Sequence, residues 1–442
     1  MNLRNFFLLL LCLLPGLSRA DAFETEDTSA RFQVTYNEQH HPGFRQARAS
    51  STRNWSLTSG QDRMFTLTAT PHLGMRLWTG GEIYINVEEA AGTPFTDNLV
   101  GLGGFTNGEI TRAAGRHPKA YLQRLFVRQT WGQGGGVEKI ESDLNQMASL
   151  VDKNRVVLTV GNFSILDVFD DNAYAKDPRT QFMNWSNWTY AAYDYAADSR
   201  GYGWGAAMAW HQDDWVFRYG RMTTPKEPNG LPIDFSFFKH YGDQVELEHG
   251  HLLGGQPGKV RVLGWRNRAV MARFSDALSY YQTKPADRQA ILYVRNTERI
   301  KYGLGVNVDQ ALSTNVGAFL RAMRADGKTE TLAFTEVDAS ASTGIVFNGA
   351  IWRRPQDSFG LALSRNYLSR DRREYLESGA ISFFIGDGYL NYKPEAILET
   401  FYSLGILKGT WITADYQRIQ NPAYNADRGP VNVYALRLHL EF

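Results

Sequence analysis

The segment VNVYALRLHLEF, residues 431–442, ends the chain and decides how the rest of it is interpreted. Its side chains alternate between two chemically different faces, with Tyr434, Leu436, Leu438, Leu440 and Phe442 on one and Val433, Ala435, Arg437, His439 and Glu441 on the other. Successive side chains of a β-strand point to opposite sides of a sheet, so this element needs an apolar neighbour on one side and water or ions on the other. The segment therefore predicts an amphipathic terminal strand.

The same alternation recurs along the chain, which distinguishes a barrel from a single amphipathic strand. Clear examples are residues 83–88, 155–160, 204–211, 215–220, 245–248, 359–364 and 412–417. About sixteen such segments lie between Ala30 and Phe442, within the even strand numbers of single-chain outer-membrane barrels. Aromatic residues make up 13% of the chain, as expected where aromatic girdles lie at two membrane interfaces. We predict an all-β fold, a transmembrane antiparallel β-barrel of about 16 strands; a secreted β-sandwich or β-helix is the competing fold.

The amino terminus predicts export. Arg4 precedes the apolar run 6–14, and Pro15-Gly16 leads to small-residue sites that allow cleavage after residue 20 or 22. A run this short cannot cross a hydrocarbon layer that needs about 20 apolar residues. We expect residues 1–20 to be a signal peptide and residues 21–442 to form one barrel domain in the bacterial outer membrane. The only cysteine, Cys12, lies in the signal, so the mature chain has no thiol.

Short and long connections alternate between the predicted strands. The short links carry turn chemistry and are predicted to be periplasmic turns: Thr79-Gly80, Asp213-Asp214, Gly254–Gly258, Ser313–Asn315, Arg354–Asp357 and Leu407–Gly409. The longer segments that alternate with them are Gly92–Lys119, Gly132–Lys153, Ile165–Arg200, Thr223–Asp243, Ala269–Glu298 and Ser369–Asn391. Closure of such a meander leaves no free sheet edge.

A barrel of this width encloses water unless a loop folds into it. The segment Asp167–Ala197 is the best candidate for a constriction loop, because it is long, acidic at its start and rich in aromatics. The residues that we expect to act there are Asp170, Asp171, Asn172, Asn184, Trp185 and Trp188. Its aromatic rings are suited either to contact with sugar C–H faces or to anchoring of the loop against the wall. The Asp170–Asn172 run is also a candidate calcium site, although the full twelve-residue loop pattern is missing.

Several motifs resemble the carbohydrate-selective porin family, whose best-known type is the glucose porin of Pseudomonas. The motifs are 169–174 (FDDNAY), 181–185 (QFMNW), 195–198 (YAAD), 333–338 (AFTEVD), 386–392 (GDGYLNY) and 417–425 (QRIQNPAYN), together with Glu395 and Glu399. They are spread over most of the mature chain. The resemblance implies a sixteen-stranded channel through which monosaccharides such as glucose and similar small solutes diffuse passively past a narrow charged constriction. It implies small-molecule sugars and outer-membrane lipid as partners, and a monomer or a homotrimer.

Charged side chains of both signs fall on the predicted inward faces. The expected substrate path comprises Arg76, Glu88, Arg124, Arg128, Arg155, Arg218, Glu246, Glu248, Arg261, Arg321, Glu399, Asp415 and Arg437. Rings of arginine favour anions and acidic sugars and also bond sugar hydroxyls, while opposed acids temper the anion preference. The alternative is that these inward ion pairs only stabilise the barrel wall and do not contact the solute.

Other classes of function find little support. Lys and Arg number 47 against 46 Asp and Glu, so no surface-wide charge attracts nucleic acid. No G-x-S-x-G or H-E-x-x-H motif occurs, which makes an outer-membrane barrel hydrolase the weaker alternative to a sugar porin, a general small-solute porin or an acidic-sugar porin. No cofactor and no metal are implied, since the histidine pairs at 40–41 and 249–251 lack further ligands at useful spacing.

Overall fold

The computed structural model describes residues 24–52, 55–113 and 115–442. In this part of the chain sixteen antiparallel strands form one closed barrel, each paired with its neighbours in chain order. The strands, labelled β1 to β16 in chain order, are Thr28–His41, Asp62–Trp78, Gly81–Thr93, Gly115–Gly132, Arg155–Phe163, Gly203–Gln212, Trp215–Met222, Tyr241–Leu253, Gln256–Val270, Glu298–Ser313, Val316–Ala325, Ala339–Asn348, Ser358–Tyr367, Glu395–Leu407, Thr410–Gln420 and Val431–Glu441. The predicted barrel and strand number are confirmed, whereas the predicted signal peptide lies outside the described residues.

The terminal strand closes the barrel. Strand β16 pairs with β15 on one side and with β1 on the other, where the register runs from Gln33 opposite Glu441 to His40 opposite Tyr434. Leu436 is 57% exposed on the outer surface, while Arg437 is 1% exposed on the inner side. The alternation of the last twelve residues therefore reports a real difference between the lipid side and the lumen side of the wall.

The two ends of the barrel differ in the length of their connections. The long-loop end carries the connections 42–61, 94–114, 164–202, 223–240, 271–297, 326–338, 368–394 and 421–430. The turn end carries 79–80, 133–154, 213–214, 254–255, 314–315, 349–357 and 408–409. The expectation that the segment Gly132–Lys153 belongs with the long loops is wrong. Connections alternate between ends along an up-and-down barrel, and the preceding connection, 94–114, already occupies the long-loop end.

The connections contain little regular structure. Three helices occur among the described residues, α1 (Trp185–Trp188), α2 (Phe274–Thr283) and α3 (Arg370–Glu377), and no helix there is long and apolar enough to span a membrane. Two small hairpins pair Val137–Ile140 with Ser149–Asp152 and Thr224–Pro225 with Ile233–Asp234. Short 3-10 turns lie at Phe95–Asp97, Gly108–Arg112, Ile165–Asp167, Ala290–Tyr293, Gly349–Trp352 and Pro422–Tyr424.

The apolar core lies inside the barrel and not between two layers. It is built by the connection 164–202, which folds into the lumen and packs its aromatic residues against other loops and the wall. Trp185 is 2% exposed and contacts Phe105 edge-on at 5.8 Å and Phe334 face-on at 4.9 Å between ring centroids. The outer surface carries its own aromatics, and near the turn end Trp131 and Trp215 are each about half exposed, as in an interfacial girdle.

Candidate functional site

The connection 164–202, here called the inner loop, is held across the lumen by buried charged side chains of the wall. At its start, Asp170 accepts hydrogen bonds from Arg321 Nε at 2.8 Å and Asn307 Nδ2 at 2.6 Å. The backbone N–H of Asp170 donates to Glu246 Oε2 at 3.0 Å. Ionic hydrogen bonds are about twice as strong as neutral ones, so these contacts fix the loop against β8, β10 and β11.

The middle of the inner loop is fixed to the opposite side of the barrel. Glu399 Oε1 accepts hydrogen bonds from the backbone N–H groups of Met183 at 2.6 Å and Asn184 at 3.0 Å. Arg437 Nη1 donates to the carbonyl oxygens of Pro178 at 2.7 Å and Gln181 at 2.8 Å. The loop is thus tied to β14 and β16 as well, which means that it bridges the lumen and narrows it.

A polar cavity of about 570 Å³ lies beside the inner loop. Its wall contains equal numbers of basic and acidic side chains, namely Arg112, Arg124, Arg128, Lys176, Arg179 and Arg200 against Asp143, Asp167, Asp170, Asp171, Asp177 and Glu441. Amide side chains and the edges of Trp185, Trp188 and Tyr195 complete the lining. The volume falls within the range of about 300–1,000 Å³ that is usual for small-molecule sites.

A second cavity of about 270 Å³ continues toward the turn end. The two cavities share five lining residues, which therefore lie between them: Arg128, Gln146, Asp167, Asp171 and Lys176. We call this set the junction. Lys176 Nζ is 2.6 Å from Asp171 Oδ1. The Lys176 ammonium holds the pKa of the Asp171 carboxyl below its ordinary value, against the opposing effect of burial. The junction consequently carries both charges at neutral pH.

The turn-end connection 133–154, here called the turn-end segment, supplies the other side of the junction. Asp143, Leu144, Asn145 and Gln146 line the larger cavity, and Arg128 Nη1 donates to the carbonyl oxygen of Asn145 at 3.0 Å. Burial raises the pKa of the Asp143 carboxyl, although the Leu144 N–H donates to it, and the nearby Glu441 adds to the rise. The constriction is therefore built from both ends of the barrel.

Two arginines that line the larger cavity, Arg124 and Arg200, lie against tyrosine rings. Arg124 forms a bidentate pair with Asp167, with N···O distances of 2.8 and 2.7 Å, and its guanidinium lies 5.1 Å from the Tyr202 ring centroid. The Arg200 guanidinium lies 4.2 Å from the Tyr121 ring centroid. Such stacking fixes the planar guanidinium groups while leaving N–H donors for other partners.

The structure divides the thirteen predicted path residues into two groups. Four line the two cavities: Arg124, Arg128, Arg155 and Arg218. The other nine do not line these two cavities: Arg76, Glu88, Glu246, Glu248, Arg261, Arg321, Glu399, Asp415 and Arg437. Eight of these nine are buried beneath loops or within ion networks, and Arg76 donates to Ser149 Oγ at 3.0 Å in the turn-end segment. The predicted place of these nine on the substrate path stays a prediction; in the structure their side chains contact loops or neighbouring charges.

Most of the covered charges have partners within the protein. Arg261 bridges Glu248 at 2.7 Å and Asp309 at 2.6 Å, and Glu88 pairs with Arg179 of the inner loop at 2.6 Å. Asp415 accepts a hydrogen bond from Gln417 at 3.1 Å. These groups brace the wall and the loop, as the alternative interpretation of inward ion pairs held.

The predicted constriction-loop residues are also divided. Five of the six line the larger cavity: Asp170, Asp171, Asn172, Trp185 and Trp188. Asn184 does not line it; this side chain is fully buried, caps α1 by accepting from the Ser186 N–H at 3.0 Å and donates to Gln417 Oε1 at 2.9 Å. Asn184 thus lies in the inner loop, as predicted, with its side chain directed to a structural cap.

The structure adds no support for calcium binding by the Asp170–Asn172 run: among the described residues, no group of three or more His, Cys, Asp and Glu side chains is arranged to hold a metal ion. Asn172 Oδ1 already accepts from the Tyr174 and Ala175 N–H groups at 3.0 and 3.1 Å. Because Asp170 likewise bonds to Arg321 and Asn307, the oxygen atoms of the run do not converge on one point.

Sequence reasoning missed several cavity residues that lie on connections. Lys176 and Arg179 are within the inner loop, next to the FDDNAY motif, and their proximity to it is a signal that could have found them. Arg112, Asp143, Asn145 and Gln146 lie on other connections, where alternation predicts no facing. No local signal in the sequence marks these four.

Comparisons with known proteins agree with this architecture. The family model for the carbohydrate-selective porins of the OprB family matches residues 14–442. The high-pH structure of Pseudomonas putida OprB is similar, with a TM-score of 0.67, 14% identity and 94% of each chain covered. The low-pH structure of the same porin gives a TM-score of 0.51 at 11% identity, covering 94% of this chain and 93% of that one.

The outer-membrane channel DcaP of Acinetobacter baumannii also gives a TM-score of 0.51, at 9% identity, with 94% of this chain and 97% of that chain covered. These likenesses show the fold. No curated protein matches the sequence. The family match covers nearly the whole chain. The chain belongs to the OprB family of carbohydrate-selective porins and is a sugar channel of the bacterial outer membrane, not an enzyme.

Proposed function

We propose that this porin passes neutral monosaccharides such as glucose into the periplasm by passive diffusion through the larger cavity and the junction. The observation that carries the proposal is the charge balance of the larger cavity, where six basic side chains face six acidic ones. A net excess of arginine would attract anions and acidic sugars. A balanced set offers hydrogen bonds to hydroxyl groups without a net preference for charge.

The chemistry of the lining suits a polyhydroxylated solute. Each sugar hydroxyl both donates and accepts hydrogen bonds. Arg124 and Arg128 supply fixed donors, and the carboxylates of Asp171 and Asp177 supply acceptors. Because Arg124 is already paired with Asp167, and Asp171 with Lys176, each ionic group has only part of its bonding capacity left. A passing sugar is therefore bound weakly, as conduction requires.

The aromatic residues of the inner loop have a smaller part in this proposal. Trp185 and Trp188 are 2% and 7% exposed, so most of each ring packs inside the loop. Their indole N–H groups have no hydrogen-bond partner within the described residues. We assign the rings chiefly to anchoring, with only their cavity-facing edges available to a sugar.

One chain contains the complete proposed pathway. The larger cavity is lined from the inner loop, the turn-end segment and the strands of the same barrel. Passage consequently takes place within each barrel, whether the protein is a monomer or a homotrimer. Molecular mass in detergent distinguishes these two states.

Liposome swelling with the purified mature protein tests the substrate class. We expect glucose to enter faster than the similarly sized gluconate and faster than the larger maltose. Faster entry of gluconate would replace the proposal with an acidic-sugar porin. Entry rates that depend on solute size alone would make this a general small-solute porin. A Lys408→Gln variant, altered in a turn outside both cavities, is the matched control.

A further inference from the structure

A groove of about 610 Å³ lies on the outer surface of strands β11 to β15. Most of its lining residues are at outward positions that alternate along each strand with buried ones, which places it on the lipid side. Four of the buried residues, Arg321, Ser342, Ser364 and Ile397, also line it. The main lining residues are small or aliphatic: Ala322, Ala341, Ala396, Leu320, Leu363 and Leu398.

Strand register explains the depression. Ala322 is opposite Ala341 on the neighbouring strand, so two methyl side chains lie side by side. Two residues further from the loops, on the same face of the sheet, Leu363 is opposite both Thr343 and Leu398. The small pair forms a floor and the leucines form the sides. The shape and apolar chemistry suit a hydrocarbon chain.

Three arginines lie on the outer face at the long-loop end of this arc. Arg324, Arg365 and Arg418 are each within two residues of the end of β11, β13 and β15. Each is two strands and two residues of register from the next, which places them about 12 Å apart. Arg365 and Arg418 line the groove. Arg418 donates to Asn432 Oδ1 at 3.2 Å, and Arg365 lies over the Tyr367 ring. Within the described part of the chain, no carboxylate pairs with any of the three.

The outer arginines on the other side of the rim differ in this respect. Arg221 and Arg266 both pair with Asp243, at 2.7 and 2.8 Å, and Arg268 pairs with Glu298 at 2.8 Å. The outer arginines of β7 and β9 are therefore compensated by carboxylates, whereas those of the β11–β15 arc are not.

We propose that this groove binds a phosphorylated lipid of the outer leaflet, with an acyl chain on the Ala322–Ala341 floor and its phosphate bound by Arg365 and Arg418. Guanidinium groups bind phosphate with paired, charge-assisted hydrogen bonds. A second copy of the chain fits less well, because a two-fold contact through this face would bring the same arginines together. A phosphorylated lipid supplies an apolar chain that matches the groove floor and an anionic group that matches its arginines.

Native mass spectrometry of the full mature barrel in detergent, titrated with diphosphoryl lipid A, tests the proposal. We expect one lipid to bind preferentially and the triple variant Arg324→Gln, Arg365→Gln, Arg418→Gln to bind it about tenfold or more weakly, since it loses the charged donors to the phosphate. The control Arg266→Gln removes an ion-paired outer arginine and should bind normally. Heat-dependent migration in gels verifies folding.

The acyl part of the site is tested separately by Ala341→Phe, which fills the floor and leaves all three arginines in place. We expect this variant to bind lipid A more weakly as well. Equal binding of dephosphorylated lipid A, or undiminished binding by both variants, would overturn the proposal. Loss of an oligomer in the triple variant, with lipid binding unchanged, would identify the face as an interface between copies.

Discussion

The charge at the junction can be changed by one unit with the substitution Lys176→Met. The variant keeps the aliphatic length of the side chain but leaves Asp171, 2.6 Å from the ammonium in the wild type, without its main partner. The lining of the larger cavity then carries one net negative charge instead of a balance. We expect the channel to become selective for cations.

The size of the shift follows from the cavity. A sphere of about 570 Å³ has a radius of about 5 Å, so a charge behind its wall is about 7 Å from a central ion and changes that ion's energy by about 0.6 kcal/mol in water. Screening at about 0.1 M salt roughly halves this value. Because K⁺ and Cl⁻ respond with opposite sign, the permeability ratio should change about three- to eightfold.

Reversal potentials in a KCl gradient across a planar bilayer measure this ratio. Asp171→Asn should shift it by a similar factor toward anions, and the double variant should return it close to the wild-type value. Lys408→Gln, outside both cavities, should leave it unchanged. A wild-type ratio in Lys176→Met, or a double variant no closer to the wild type than the single variants, would refute the placement of this pair on the path.

Three further perturbations follow from the same contacts. Burial raises the pKa of Asp143 above its ordinary value of 3.8. Acidification should therefore neutralise Asp143 before ordinary carboxylates titrate and shift reversal potentials toward anion selectivity. The variant Asp143→Asn should show the shifted reversal potential already at pH 7 and should lack this titration step. Arg321→Met leaves Asp170 without its buried cation, which weakens the attachment of the inner loop to the wall by about 3–5 kcal/mol. Single-channel conductance should therefore rise, while gel migration still reports a folded barrel. Trp185→Ala removes a ring packed against Phe105 and lowers the stability of the packed inner loop by about 3–5 kcal/mol. The open-channel current of this variant should be noisier and its block by sugar weaker. A current as quiet as that of the wild type would contradict the anchoring role.

The barrel was predictable because its signal is local. Alternation with period two records which side of the wall each residue faces, so Leu436 and Arg437 could be assigned to lipid and lumen from the sequence alone. Turn residues marked the short links in the same way. Assigning a long segment to one end of the barrel requires that every connection before it is counted correctly, because connections alternate between the ends. The turn-end segment was misplaced for this reason.

The candidate site was less predictable because its contacts join residues far apart in sequence. The inward direction of Arg437 is readable, but its bonding to the carbonyl groups of Pro178 and Gln181 depends on how the inner loop crosses the lumen. An inward charge is a path residue only where that loop leaves it uncovered. Asp143 and Asn145 lie on an irregular segment, where no periodicity indicates a direction.

Single-channel current through the purified mature protein, with glucose titrated on one side of the bilayer, tests the central claim most directly. We expect weak ion selectivity and a saturable reduction of current by glucose, which Lys176→Met and Arg128→Met should alter. Strong anion selectivity with block by gluconate but not by glucose would contradict the proposed neutral-sugar channel, as would conductance that glucose leaves unchanged.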